Sequence, residues 1–150
     1  MITIIEQIEN LQELYEKDYL LWLEKTIKSL SDRHFNQIDF EHLIEELTQL
    51  GNEQKRAVES LLEQIIRHLL LYQYWQSEYD RNAHHWSAEI ISFRNQLKRR
   101  LTTNLRNHLT NNLDSIYADA LDYVRSKTNL NIFPNNLPYT LEQLLDKTYL

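Results

Sequence analysis

Apolar residues recur at helical spacing from the start of the chain. The first stripe advances in steps of three, four or their sum and comprises Ile4, Ile8, Leu11, Tyr15, Trp22 and Thr26. Thr3 and Glu6 have the spacing of a capping box, in which each side chain hydrogen-bonds the backbone amide of the other residue. We therefore predict a first helix that begins near Ile4 and ends where Ser31 opens a loop.

A second stripe begins after Asp39, a residue type that favours the N-cap of a helix. The buried face predicted for this helix comprises Phe40, Leu43, Ile44, Leu47 and Leu50. Gly51 is predicted to end or kink the helix, in the manner of a glycine C-cap, and Asn52 to restart it. A continuous but bent helix is the alternative.

The pattern in the rest of the chain predicts a central helix, two or three helices after it and a short final helix. The central stripe is apolar around much of its circumference and comprises Val58, Leu61, Leu62, Ile65, Ile66, Leu69, Leu70 and Tyr72. After a polar stretch at 76–82, a narrower stripe comprises Trp86, Ile90, Phe93, Leu97 and Leu101, and the pattern resumes beyond capping residues at 102–104. A Pro- and Asn-rich turn segment at 129–138 precedes a second capping box, Thr140 with Gln143. We predict an all-α, single-domain bundle of about five or six helices over residues 1–150.

Composition excludes several classes of protein. The chain has one Gly, two Pro and no Cys, which excludes disulfides, thiolate metal sites, a cysteine nucleophile and a glycine-rich phosphate loop. Without a convincing strand there is no elbow for a serine nucleophile. No apolar run is long enough to cross a bilayer, and the N-terminus lacks the pattern of a secretory signal. We expect a cytoplasmic protein without a membrane partner, and we favour a non-enzyme over an enzyme.

The net charge of −6 is unevenly distributed. Residues 1–66 carry fourteen acidic and six basic residues, a net charge of −8, whereas residues 67–127 carry +3. The basic run comprises Arg94, Lys98, Arg99, Arg100 and Arg106. This run could bind RNA phosphates, but it lacks interleaved aromatic residues for base stacking, so we interpret it as a solvated face. RNA binding stays an alternative, although a nucleic-acid partner is not expected.

Five blocks of residues, in order along the chain, match the pattern of a known family. They comprise Tyr15, Glu16, Asp18 and Trp22; Asp39, Leu43, Glu45, Glu46, Leu50 and Gly51; His68, Leu69 and Leu70; Trp86, Ile90 and Arg94; and Thr128, Leu130, Phe133, Pro134, Pro138, Tyr139, Thr140, Leu141, Leu144 and Leu145. From about Leu14 to Leu145 the chain resembles the bacterial domain-of-unknown-function family 29. It departs from many members at 102–104, where they have Ser-Pro-Ser. The resemblance implies an all-helical fold and supplies no activity.

Asp18 is the most unusual residue of the first helix. At 100° per residue it lies at the centre of the apolar stripe, where a carboxylate needs a charged or hydrogen-donating partner. His68 and Arg94 lie at the edges of other apolar stripes, and Glu46 is a further candidate. We predict a buried polar cluster of Asp18 with His68, Arg94 or both, either as an ion pair that fixes helix register or as a site for an enzyme or a metal.

Two histidine-containing groups have spacings that could bind a metal. His42 shares a helix side with Glu45 and Glu46, and His85 lies four residues before Glu89, next to His84. Di-metal carboxylate bundles use Glu-x-x-His pairs from two helices, and the sequence contains no such pair. We therefore expect no metal site, no cofactor and no identifiable small-molecule ligand.

Aromatic residues cluster at the end of the central helix, where the sequence has Tyr72, Tyr74, Trp75 and Tyr79. Such a cluster can cap a core or form a partner surface, and joint exposure of Trp75 and Tyr79 would favour the second. Since the sequence has no cysteine nucleophile, no glycine-rich phosphate loop and no elbow for a serine nucleophile, the leading interpretation is a protein that binds another protein or itself. An enzyme or metal site at the predicted polar cluster is the alternative.

Overall fold

The computed structural model describes residues 2–150 and confirms the predicted all-α fold. Within this range there are six α-helices, two short 3-10 helices and no strand. The α-helices are α1 (Ile4–Lys17), α2 (Tyr19–Ser31), α3 (Phe40–Tyr74), α4 (Tyr79–Arg100), α5 (Thr103–Thr128) and α6 (Leu141–Leu145), and the 3-10 helices are Phe35–Gln37 and Gln76–Glu78. None of the described helices is long and apolar enough to cross a bilayer.

Contacts between residues divide the chain into two compact units. Unit 1 ends at Asn52, and unit 2 comprises Glu53–Leu150. The division falls within α3, whose first part belongs to unit 1 and whose second part belongs to unit 2.

Unit 2 has an extensive apolar core. Its buried members come from α3, α4, α5, α6 and the segment before α6, and they are Val58, Leu62, Ile65, Ile66, Leu69, Leu70, Leu71, Trp86, Ile90, Leu97, Leu109, Ile116, Tyr117, Ala120, Leu121, Val124, Phe133, Tyr139, Leu141 and Leu144. The central helix predicted from its apolar circumference is therefore the second part of α3. The predicted capping box of Thr140 with Gln143 is present at α6.

The first predicted helix is two helices, separated at Asp18. Asp18 has an extended backbone, with φ −150° and ψ 83°, and its carboxylate accepts a hydrogen bond from the Leu21 amide at 3.0 Å. It is therefore the N-cap of α2, a role that aspartate performs because its side chain satisfies an otherwise unpaired helix amide. The predicted capping box of Thr3 with Glu6 is confirmed at the start of α1.

No helix ends at Gly51, so the predicted C-cap is wrong and the alternative of a continuous helix is the one observed. The residue lies inside α3, which runs unbroken from Phe40 to Tyr74. A Cβ built on Gly51 would meet nothing within 4 Å. Glycine in an exposed helix interior costs about 1 kcal/mol relative to alanine, and no neighbouring atom of this chain requires it.

The buried face predicted for the first part of α3 is largely exposed. Phe40, Ile44, Leu47 and Leu50 are 50% to 61% exposed, while Leu43 is half-buried. Among residues 2–52 only Trp22, Thr26, Ile38 and Asp39 are buried. The apolar spacing identified the helix correctly, but nothing within the described chain covers this face.

Candidate functional site

The interior of unit 1 is built around a buried carboxylate. Asp39 is fully buried, and it accepts hydrogen bonds from Trp22 Nε1 at 3.2 Å and from the His42 amide at 3.3 Å. Its Oδ2 also lies 2.6 Å from Nδ1 of His42. The predicted N-cap of α3 is thus confirmed. Asp39 also connects α3 to Trp22 on α2. One carboxylate therefore caps α3 and hydrogen-bonds a side chain of α2.

A second carboxylate receives two tyrosine hydroxyls. Tyr15 donates to Oε1 of Glu46 at 2.5 Å, and Tyr19 donates to Oε2 of the same residue at 2.6 Å. The Tyr15 ring stacks on His42, with ring centroids 4.0 Å apart and planes 14° apart, and it meets Trp22 edge-on at 5.0 Å. We call Tyr15, Tyr19, Trp22, Asp39, His42 and Glu46 the polar–aromatic cluster.

The charges of this cluster support one another. Burial alone would lower the pKa of His42, but the hydrogen bond and the negative charge of Asp39 outweigh burial and raise that pKa above its ordinary value. Hydrogen bonds from Tyr15 and then Tyr19 lower the pKa of Glu46, and the bond to Glu46 raises the pKa of Tyr15. The two phenol donors therefore favour the carboxylate form of Glu46, and Asp39 favours the charged form of His42.

The side chains of this cluster join helices through hydrogen bonds and do not form an evident reaction centre. Both oxygens of Glu46 and Nδ1 of His42 are engaged within the cluster. A groove of about 500 Å³ in unit 1 lies between α1, α2 and the Phe35–Gln37 turn, and no member of the cluster lines it. The cluster holds three helical segments together in a unit that has almost no apolar core.

The outer surface of unit 1 is unusually apolar. Thirteen large apolar or aromatic side chains between residues 2 and 52 are exposed, against two that are buried, Trp22 and Ile38. The exposed ones are Ile2, Ile4, Ile5, Tyr19, Leu20, Leu21, Ile27, Leu30, Phe35, Phe40, Ile44, Leu47 and Leu50. Single exposed apolar residues are normal on a protein, whereas contiguous groups on one helix face mark interaction sites.

One such group forms a row along α3. Phe40, Ile44 and Leu47, with Gly51 after them, lie within about 60° of arc at 100° per residue. Leu43 and Leu50 flank this row on the same side. We call Phe40, Leu43, Ile44, Leu47, Leu50 and Gly51 the α3 face.

The structure contradicts the predicted buried carboxylate at Asp18. Asp18 is exposed, because the chain turns there and the side chain caps α2 instead of facing inward. Glu46, the further member proposed for that polar cluster, is held by the two tyrosines of unit 1. The helical projection that placed Asp18 at the centre of a stripe assumed one continuous helix, and α1 ends at Lys17.

The other two proposed members have separate roles in unit 2. Arg94 is buried and donates from Nε, NH1 and NH2 to the carbonyl oxygens of Leu144, Tyr149 and Gln143, at 2.8, 2.6 and 3.2 Å. His68 Nδ1 lies 2.7 Å from the Gln64 carbonyl, and burial lowers the pKa of His68. Arg94 therefore fastens the C-terminal segment to α4, and neither residue takes part in the cluster predicted around Asp18.

The aromatic residues at the end of α3 pack against the unit 2 core instead of forming an open surface. Tyr72, Tyr74 and Trp75 are half-buried against it, and Trp75 stacks on Trp86 with centroids 5.8 Å apart. Tyr79 is also half-buried and donates to the Tyr72 hydroxyl at 3.2 Å. The condition that would favour an interface here, joint exposure of Trp75 and Tyr79, is not met.

The remaining candidate groups are dispersed. Among residues 2–150 no group of three or more His, Cys, Asp or Glu side chains is arranged to hold a metal ion. His84 and His85 are exposed. In the basic run, Arg94 is committed to backbone carbonyls and Arg106 lies 3.3 Å from Glu142, which leaves Lys98, Arg99 and Arg100 as its exposed cations.

Sequence reasoning missed the pairing of Asp39 with His42 and of Glu46 with Tyr15 and Tyr19. The signal for the first pair was present, because an N-cap aspartate and a residue three positions later face each other at a helix start. The second pair joins residues 31 and 27 positions apart, and no local spacing predicts it.

Comparison with known proteins identifies a family. No curated protein and no solved structure gives a significant match to the chain. The model of one family, described as "Domain of unknown function DUF29", matches residues 14–150. That match includes the polar–aromatic cluster, the α3 face and the whole of unit 2. The chain therefore belongs to the DUF29 family.

Proposed function

We propose that this protein is a non-enzymatic protein of the bacterial cytoplasm that works by binding a protein helix on the α3 face of unit 1. The observation that carries the proposal is the imbalance of burial in residues 2–52, where thirteen large apolar or aromatic side chains are exposed and two are buried. A unit of this size with so small a core gains stability when a partner covers its apolar surface.

The form of the surface indicates the form of the partner. Phe40, Ile44 and Leu47 follow helical spacing and lie on a single rigid helix, which suits a second helix that presents apolar residues at i, i+3, i+4 and i+7. Residues 2–52 carry eleven acidic and four basic residues. The net charge of unit 1 is therefore negative over these residues, which disfavours partners that are themselves strongly acidic outside the apolar contact.

The test is site-specific photo-crosslinking of the full chain in bacterial cells. A photoreactive amino acid at Leu47 is expected to give one dominant protein adduct, which mass spectrometry then identifies. The matched control is Gln49, which is exposed on the opposite side of α3 and is expected to give none. Absence of any adduct from Leu47, or equal adducts from both positions, would contradict the proposal.

A further inference from the structure

We propose that the α3 face binds the same face of a second copy of this chain, antiparallel about a two-fold axis. This inference rests on the proposed protein-binding function and names its partner. It has four supports: the position of the face along α3, the presence of Gly51, the register in which the face complements itself, and the apolar area available.

The α3 face continues a face that is buried elsewhere on the same helix. Phe40, Ile44, Leu47 and Gly51 each lie eighteen positions before a core residue of unit 2, which is five turns at about 3.6 residues per turn. Those core residues are Val58, Leu62, Ile65 and Leu69, all fully buried. One helix face is therefore apolar in both parts, and only the part in unit 2 is covered by elements of the described chain.

Gly51 is the second support. It is the single glycine of the sequence, it lies on the centre line of the face, and nothing of this chain lies within 4 Å of where its Cβ would be. Glycine weakens an exposed helix, and its advantage is that another structure can approach the backbone closely. Since no part of the described chain does so, the approach comes from outside.

The face is self-complementary in one antiparallel register. When the two-fold axis passes between residues 45 and 46, Ile44 of one copy lies opposite Leu47 of the other, and Phe40 lies opposite Gly51. The largest side chain of the row thus meets the position without a side chain. A two-fold interface requires this reciprocity, because each copy contributes the same patch.

The apolar area matches the need of a dimer. Phe40, Ile44, Leu47 and Leu50, each about half exposed, offer on the order of 400 Å² per copy. A standard interface takes about 800 Å² from each partner, of which somewhat more than half is apolar. No carboxylate lies within about 80° of the centre of the face between residues 40 and 51, so Glu41, Glu45 and Glu46 lie outside the apolar row.

The first experiment is sedimentation equilibrium of the full chain over a range of concentrations. We expect a reversible dimer that tightens as NaCl rises from about 0.05 to 0.5 M, because salt screens the repulsion between two acidic units. Ile44→Glu is expected to weaken the dimer more than a hundredfold with its helical circular dichroism retained, and the matched control Gln49→Glu is expected to dimerise normally. A monomer at all concentrations would overturn the inference.

The Gly51→Ala variant distinguishes the effect of the glycine on the stability of α3 from its proposed effect on packing in the dimer. In the monomer, the Cβ meets open space and stabilises α3, lowering the unfolding equilibrium constant about fivefold. In the dimer, the same Cβ occupies the space of Phe40 from the other copy, so dissociation is expected to increase at least tenfold. An Ala variant that dimerises as tightly as the wild type would contradict the Phe40–Gly51 contact.

Single cysteines test the register, since the chain contains none of its own. In the antiparallel arrangement, two copies of residue 47 are displaced by about 4.5 Å along the helices, whereas two copies of residue 40 are about 16 Å apart. Leu47→Cys is expected to form a disulfide-linked dimer on mild oxidation, and Phe40→Cys is not. Rapid linkage of both variants would indicate a parallel dimer and overturn the register.

The two proposals fail in different ways. If the wild-type chain is monomeric and the photo-crosslinker at Leu47 labels a different protein, the second-copy inference is wrong and the proposed function stands. If the crosslinker labels nothing, both are wrong. An adduct of twice the chain's mass, lost on Ile44→Glu, supports both.

Discussion

The structural role of a side chain in this protein depends on the groups to which it is hydrogen-bonded. Asp39 and Asp18 both cap helices, but Asp39 is fully buried and binds His42 and Trp22, whereas Asp18 is exposed and binds only its own helix start. The same residue type thus stabilises a junction between helices in one place and a local turn in the other. A buried carboxylate is tolerated only with such partners, since an unpaired one costs several kcal/mol.

The pairing of His42 with Asp39 predicts a pH dependence of stability. The pKa of His42 is raised above its ordinary value of 6.5, so the imidazolium contributes stability that is complete below about pH 6.5 and is lost as pH rises through the folded-state pKa. The thermal unfolding temperature of the wild type, minus that of His42→Gln, is expected to fall as the pH rises above about 6.5.

Proton NMR titration provides the control for this prediction. Burial lowers the pKa of His68 in unit 2, so its stability contribution has the opposite sign and is lost as pH falls below its ordinary value. The His42 ring signal is expected to titrate above that of His68. If the unfolding temperature of the wild type minus that of His42→Gln instead rises with pH, the charged pair does not stabilise the fold.

Most of the described α-helices begin at a polar side chain that accepts a hydrogen bond from a backbone amide, and α4 is the exception. α1 and α6 begin with capping boxes at Thr3 and Thr140, and α5 begins with the hydroxyl of Thr102 bound to the Leu105 amide. α5 ends at Asn129 in the left-handed conformation, with φ 54°, a C-terminal geometry that asparagine tolerates better than most residues. Element boundaries are therefore mostly local in origin.

The break between α1 and α2 tests this view directly. Asp18→Ala removes the side chain that accepts from the Leu21 amide, and loss of an N-cap costs about 0.5–2 kcal/mol. Urea denaturation is expected to show this loss for Asp18→Ala and almost none for Asp18→Asn, which can cap in the same way. Equal stability of Asp18→Ala and the wild type would mean that the turn at residue 18 is held by contacts other than this carboxylate.

The chain as a whole combines a well-packed unit with one that has little interior. The core of unit 2 contains twenty buried residues, whereas residues 2–52 contribute four buried residues, two of them polar. Local stability follows buried apolar contact, so the two units are expected to open with different free energies. The partner proposed for the α3 face and the easier opening expected of unit 1 both follow from this imbalance.

Amide hydrogen exchange is the measurement at this scale. We expect residues 62–71 of α3 to exchange slowest and residues 40–50 of the same helix to exchange at least a hundredfold faster in dilute protein. Protection of residues 40–50 is expected to rise with protein concentration, since association covers the α3 face. Uniform protection along α3 at every concentration would show that the helix is stabilised without a partner.

The sequence by itself determined most of the helices, the capping boxes of α1 and α6, the N-cap of α3 and the core of unit 2. These features follow from local hydrogen bonding and from the 3.6-residue period, both of which can be identified in a short segment. The same period identified the apolar row of Phe40, Ile44 and Leu47. It could not show whether another part of the chain covers that row, because burial depends on which surfaces meet in space.

Only the tertiary structure decided which polar residues meet and which apolar face stays open. Asp18, His68, Arg94 and Glu46 were all candidates for one cluster, but the turn at Asp18 changed the direction of its side chain, and His68 bonds the Gln64 carbonyl on its own helix. Arg94 and Glu46 bond distant residues that no local spacing predicts. Pairing between distant residues and exposure of a helix face are properties of the packed chain. A periodic pattern identifies the apolar face of a helix. Which element packs on that face depends on the other surfaces that can reach it in the folded chain.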